Sequence, residues 1–250
     1  MPHLCVRGAI RQNLWADSSS NESELDQHNV TLPSVDKHAP YPFDHRKALR
    51  ALRASDAKMA ALIAAVGPFR MPLERHEHPY ESLFHSIQYQ QLHGKAAAAI
   101  LARVKEQIGG GGYPAPRVLL AASDEALRGA GLSRQKIAAL RDLADKTIAG
   151  TVPGWEAIQR LGDEEVIERL TQVRGVGVWT VHMLLIFRLG RPDVWPTLDY
   201  GVRHGYQLAY RKRRMPTPKE LEKVGEKWRP YRSVAAWYFW QRVHLERGGK

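Results

Sequence analysis

The chain has little that a secreted, membrane or metal-cluster protein needs. It holds one cysteine, Cys5, and one thiol makes no internal disulfide, four-thiolate zinc site or iron–sulfur cluster. Its apolar runs, such as Met183 to Phe187, fall far short of the roughly 18 residues a bilayer span requires. The start, MPHLCVRGAIRQNLW, has no apolar core of signal-peptide length. Strand signals are scarce and no internal repeat appears. Together these absences predict an intracellular all-α protein, in the cytoplasm or nucleoid if bacterial, with no cofactor and no membrane contact. At 250 residues it can bury one large core or two small ones.

Acidic residues are also short, 26 Asp+Glu against 37 Lys+Arg, for a net charge of +11. The excess is concentrated. Residues 201–250 carry 13 Lys/Arg and 4 Asp/Glu, including Arg211-Lys212-Arg213-Arg214. Such a segment favours a polyanion, because Lys and Arg that neutralise phosphates drive nucleic-acid affinity. A solvated basic surface is the plainer alternative, and the four-residue basic run suits either.

Residues 1–44 are polar, proline-punctuated and aperiodic, and are expected to form a disordered tail. Beyond them helical patterns alternate with Gly/Pro breaks. Ile100, Val104 and Ile108 mark one face of a helix over 95–108, ended by the glycines at 109–112. Ile137, Leu140, Ala144 and Ile148 mark another, with Ser133 as its N-cap. Asp163 is expected to cap a short helix running to Leu170. Thr217-Pro218-Lys219-Glu220 has the capping-box arrangement. A helix over 178–189 is apolar nearly all round and therefore expected to be central and buried.

The most informative stretch is 171–200, TQVRGVGVWTVHMLLIFRLGRPDVWPTLDY. Gly175 and Gly177 flank Val176 where that apolar helix begins. Glycines there allow positive φ and close approach, and amides at a helix start favour an anion such as a phosphate diester. A plain helix–turn–helix corner would use the same residues. Downstream, Asp199 stands between Pro196 and Tyr200, either as a helix N-cap or as a carboxylate that stabilises developing positive charge.

Three blocks taken together resemble the helix–hairpin–helix base-excision DNA glycosylase superfamily, and within it the 3-methyladenine DNA glycosylase II branch. They are SIQYQQLHGKAAAAILARV at 86–104, LTQVRGVGVWTVHMLL with WPTLDYGV at 170–202, and WRPYRSVAAWYFW at 228–240. The resemblance implies an all-helical fold of two subdomains, 80–190 with the hairpin and 45–79 plus 191–250, with a cleft between them. It also implies hydrolysis of the N-glycosidic bond of alkylated purines in duplex DNA after base flipping. Asp199 becomes the catalytic residue. Trp179, Tyr200 and Trp240 become the base pocket, against the alternative that these aromatics are core, as Trp237 and Tyr238 are expected to be. DNA contact falls to Gly175, Val176, Gly177, Val178 and Thr180, and to Gln91, Leu92 and His93. There Leu92 is the wedge that fills the gap left by the flipped base, with Gly94 keeping the turn sharp. Gln91 suits either base contact or bracing of the loop.

Departures sharpen the expectation. Relatives with lyase activity keep a nucleophilic lysine where this chain has Trp179, so the resemblance implies a glycosylase without lyase activity. Met183 replaces an aromatic. The cluster-binding cysteines of the endonuclease III and adenine-mismatch branches are absent, and 1–44 is too short for the β-containing domain of the larger bacterial enzyme. No side-chain metal site is expected. The backbone carbonyls of Thr171, Val173 and Val176 match positions that bind a monovalent cation in the family. A monomer is expected. The alternatives are a non-catalytic helix–hairpin–helix DNA-binding protein and a glycosylase of the same fold for another lesion.

Overall fold

The computed structural model describes residues 41–73, 76 and 78–248. Cys5 and residues 1–40 of the expected tail lie outside them. The described residues form thirteen α-helices and no strand: α1 His45–Ser55, α2 Ala57–Val66, α3 Pro79–Tyr89, α4 Gly94–Gln107, α5 Pro116–Ala121, α6 Asp124–Gly129, α7 Arg134–Ile148, α8 Trp155–Arg160, α9 Asp163–Leu170, α10 Val178–Phe187, α11 Tyr200–Ala209, α12 Pro218–Gly225 and α13 Arg232–Gly248. The all-α expectation holds. No helix among the described residues is long and apolar enough to cross a membrane.

Local sequence signals account for most of the helix boundaries. Ser133 accepts Lys136 N, and Thr217 and Glu220 form the full capping box over Pro218. The glycine run ends α4, with Gly110 and Gly111 at positive φ. Asp163 differs from expectation. It is the first helical residue, while Gly162 accepts Val166 N and is the cap. The tail boundary shifts as well, because residues 41–44 are packed. Tyr41 donates to Met71 O at 3.0 Å, its ring lies 4.8 Å from Phe69, and Asp44 caps α1.

The chain divides into two compact units. The first comprises 78–160 and 168–176 of the described residues, the second 41–73, 76, 161–167 and 177–248. Contacts therefore group α10 with the second unit. The first unit has a largely aliphatic core, in which α3 and α5 pack on α7 through residues such as Leu83, Ile87, Leu119, Leu140 and Leu143. Tyr80 and Phe84 add aromatic mass there, and Tyr80 donates to Pro114 O at 2.9 Å.

The second unit is aromatic at its centre. Trp228 lies 5.2 Å from both Trp195 and Phe239, and Tyr206 stacks on Tyr210 at 4.5 Å. Trp237 and Tyr238 are buried as expected, with Tyr238 donating to Gly67 O. The pairing of α11 with α13 depends on two glycines four residues apart on α11. A Cβ at Gly205 would overlap Phe239 O, and one at Gly201 would come within 2.7 Å of Trp240 Cδ1. Their bare faces let α13 lie close, backbone to backbone at Gly205 and backbone to side chain at Gly201, as small residues do at close helix crossings.

Candidate active site

Asp199 is where the second unit converges. The turn before it is tight, with Asp199 N donating to Pro196 O at 2.9 Å. The residue is the N-cap of α11 and accepts Val202 N on Oδ1 at 2.8 Å. Trp240, reaching from α13 across Gly201, donates its indole N–H to the same oxygen at 2.8 Å. Trp179, in the first turn of α10, donates its own to Oδ2, also at 2.8 Å. The residue is 9% exposed. Cap and candidate catalytic carboxylate are thus one group. A carboxylate offers about four acceptor sites. Three are taken, and the remaining one is on Oδ2.

Every donor to Asp199 among the described residues is neutral. None of the described lysines, arginines or histidines pairs with it, so its charge is held by dipoles and not cancelled. A carboxylate in that state can answer positive charge that develops in a reaction. Around it stand unusually exposed apolar side chains of the same unit: Trp179 at 46%, Tyr200 at 60%, Leu198 at 60% and Val178 at 40%. Trp240 is half-buried, its ring 5.3 Å from Phe187, and Met183 is half-buried on α10. The structure thereby gives Trp179 and Trp240 a task not foreseen from the sequence, since their N–H edges orient the carboxylate and only their faces remain for a base.

The helix expected to be buried is buried over Thr180, Val181 and Leu184 to Ile186, while its first turn is open. It ends at Phe187, where Arg188 and Leu189 both donate to Leu184 O. Its N-cap, Gly177, supplies no side-chain cap, so the first-turn amides are left to an outside acceptor. Of the two hairpin glycines only Gly175 needs its freedom, at φ 81. Gly177 has φ −99, and a Cβ there would meet no atom of the chain within 4 Å. Val176 is buried, with its N–H on Val173 O, and the Thr180 side chain is buried too. Those two residues can therefore serve DNA only through the backbone. Thr171 and Val173 precede the turn.

In the first unit, Gln91, Leu92 and His93 are all exposed in the turn between α3 and α4. Gly94 is the first residue of α4 with ordinary φ. The left-handed residue is Gln91, at φ 57, which corrects the expectation that Gly94 makes the turn. α4 also begins without a side-chain cap. The basic run is less uniform than its sequence. Arg214 is held by Glu220 through two contacts, 2.6 and 2.9 Å, whereas Lys212 and Arg213 are exposed beside a cleft of about 430 Å3 floored by Tyr206, Pro216 and Val224. Among the described residues no group of three or more His, Cys, Asp or Glu could hold a metal ion.

Residues absent from the sequence-based set are Gly201, Gly205 and Gln90. Two glycines spaced i, i+4 directly after Asp199 were a readable signal of close helix packing. Nothing in the sequence marks Gln90 apart from its position before the turn.

The chain is similar to known DNA glycosylases. DNA-3-methyladenine glycosylase 1 of Schizosaccharomyces pombe is 42% identical over 196 residues, covering 78% of this chain and 86% of that protein. A solved 3-methyladenine DNA glycosylase of S. pombe in complex with abasic DNA superposes with a TM-score of 0.70 at 41% identity, over 78% of this chain and 95% of the other. A DNA-3-methyladenine glycosidase from Bacillus halodurans gives 0.74 at 33% identity, over 80% and 91%. Residues 84–230 match the family described as HhH-GPD superfamily base excision DNA repair protein, more than half of the chain. A glycine hairpin opening an uncapped helix, followed by a carboxylate held in neutral N–H bonds, is thus carried by a member of the HhH-GPD superfamily of base excision DNA repair proteins.

Proposed function

We propose that this chain is a monofunctional DNA glycosylase, hydrolysing the N-glycosidic bond of alkylated purines of the 3-methyladenine and 7-methylguanine type in duplex DNA. The observation that carries the reading is Asp199, a nearly buried carboxylate bound only by neutral donors and flanked by exposed aromatic faces. Relatives named for 3-methyladenine support the substrate class.

An alkylated purine of this type is cationic and leaves readily. The bond from sugar C1′ to the base nitrogen breaks with its electron pair departing on the base, whose charge it neutralises. Positive charge then develops on the sugar, and Asp199 answers it. Water adds to C1′ and loses a proton, with the open acceptor site on Oδ2 able to orient it. No separate general acid is required. Trp179 and Tyr200, with the face of Trp240, are the proposed walls for the flipped base, where a cation gains from the ring quadrupoles.

The hairpin from Gly175 to Val178, with the Thr180 amide, is the proposed seat of a backbone phosphate. Leu92 is the proposed wedge, with Gln91 and His93 in the groove beside it. The carbonyls of Thr171, Val173 and Val176 suit a monovalent cation, which takes oxygen ligands. A monomer acting inside the cell on duplex DNA completes the reading.

Trp179 occupies the lysine position of lyase relatives and has no amine, so borohydride should trap no covalent adduct with DNA. The test of substrate is a panel of single-lesion duplexes. Release of 3-methyladenine and 7-methylguanine is expected, and release of neither would reject the assignment.

A further inference from the structure

Helix α7 carries neither of the segments proposed to touch DNA in the first unit, yet it is tied to both. Lys136, in its first turn, donates to Ile87 O at 2.8 Å, to Gln90 O at 3.1 Å and to Gln88 O. An ammonium has three N–H groups, and all three are engaged. They meet carbonyls at the end of α3, where a helix leaves its acceptors unsatisfied. The chain then bends through Gln91 in the left-handed region, which a residue with a side chain adopts only when its surroundings hold it there.

Six residues along α7, about 9 Å of rise, Asp142 accepts the N–H of Arg174 on Oδ2 at 2.6 Å while its Oδ1 binds Lys146. Gln90 closes the loop by donating to Gly175 O at 2.8 Å. One helix therefore grips the turn before Leu92 at one point and the hairpin at another, and a single side-chain amide joins the two. Burial draws the Lys136 ammonium below its usual range, while its three carbonyl bonds favour the charged form.

The geometry points to α7 as a positioning element: Lys136 and Asp142 set the spacing between the Leu92 turn and the hairpin turn at Arg174-Gly175, with Gln90 as the strut. This rests on the proposed roles of Leu92 and the hairpin and adds what keeps them in register. Residues 136 and 142 touch no DNA themselves. A merely structural lysine would alter stability alone, whereas a positioning lysine alters wedge insertion separately from phosphate binding.

The experiment uses the full chain and a duplex holding a tetrahydrofuran abasic analogue next to 2-aminopurine, whose fluorescence reports insertion. Affinity for undamaged duplex is read by anisotropy, and the melting temperature of every variant is recorded. Lys136→Met should slow insertion roughly tenfold, as small misplacements do, with affinity for undamaged duplex within about twofold of wild type. Asp142→Ala should weaken that affinity about fivefold, the cost of one lost hydrogen bond. Gln90→Met, which deletes the bond to Gly175 O at a half-buried residue, should slow insertion as well. The surface control Arg160→Met should move neither.

Normal insertion in both Lys136→Met and Gln90→Met would overturn the inference. So would a loss of undamaged-duplex affinity in Lys136→Met equal to its loss of insertion. Unchanged insertion in Leu92→Ala would remove the wedge and the inference with it. None of these readouts needs base release, so a wild-type protein that releases no base would reject the proposed function and leave this test standing.

Discussion

Two aspartates of the second unit have the same capping role and opposite surroundings. Asp56 caps α2 and Asp199 caps α11, and each accepts one backbone N–H at 2.8 Å and further side-chain donors. For Asp56 those donors are Tyr210 and Lys227, the latter an ion pair at 2.7 Å. For Asp199 they are two indoles. The cation cancels the charge of Asp56, whereas the indoles orient that of Asp199 and leave it in force. A capping aspartate becomes available for chemistry when its remaining partners are neutral and its neighbours are open aromatic faces. Asp193 follows the Asp56 pattern, bound by Arg232 and Arg229.

The sharpest way to break this comparison is to neutralise each carboxylate in turn. Asp199→Asn should lower base release from methylated duplex by roughly a hundredfold to a thousandfold, the scale of losing one preorganised electrostatic partner. Its affinity for the duplex should persist, since the hairpin is untouched. Asp56→Asn should leave release per folded molecule unchanged. Equal losses in the two variants would show that capping, not charge, is what matters.

Next in size are changes that spare both carboxylates. Trp240→Phe and Trp179→Phe keep an aromatic face and delete the N–H, so release should fall about tenfold in single-turnover assays, with little change in melting temperature. Gly201→Ala should act in the same direction. Its Cβ would lie 2.7 Å from Trp240 Cδ1 and 3.1 Å from Asp199 Oδ1, displacing the indole from the carboxylate.

Smaller effects are expected in stability. Asp56→Asn should cost roughly 2 kcal/mol in denaturant unfolding, from a weakened cap and a lost ion pair. Burial opposes ionisation of Asp56, but the bonds from Lys227, Tyr210 and Met59 N outweigh it and hold the carboxyl below its usual value. A depressed pKa stabilises the fold at pH values above the unfolded pKa, about 4, and that contribution is lost as pH falls through the lower folded value. The wild type should therefore weaken below about pH 4 more than Asp56→Asn does.

A separate loss should appear earlier on acidification, in the first unit. Burial lowers the His78 imidazole to about 4, and its Nδ1 accepts Tyr80 N to cap α3. The unfolded chain binds this proton near pH 6.5, so stability should decline as pH falls from about 6.5 toward 4. Urea unfolding across that range, with His78→Asn as the comparison, checks it.

Much of this was legible in the sequence because it is decided within a turn or two of the chain. Ser133 and Thr217 cap where their side chains reach their own helix starts, and glycines end α4 because their own φ allows it. The hairpin glycines stand out by residue type and spacing, and Asp199 by the resemblance of its block to the glycosylase family. The misplaced features depended on partners elsewhere. Asp163 has the composition of a cap, yet the chain starts the helix one residue earlier. Gln91 takes the left-handed turn in place of Gly94, next to carbonyls that Lys136, on another helix, ties down.

By itself, then, the sequence determined the helical class, the caps at Ser133 and Thr217 and the hairpin glycines, since each depends on neighbours close along the chain, and it singled out Asp199 as the candidate carboxylate. Only the tertiary structure decided which donors reach that carboxylate. Trp179 and Trp240 lie 20 and 41 residues from Asp199, and Lys227 lies far from Asp56 in the chain. Side chains so distant meet only after helices pack, and bare glycine faces on α11 set how closely they do. Packing therefore gave one aspartate only neutral donors among the described residues and gave its counterpart a lysine.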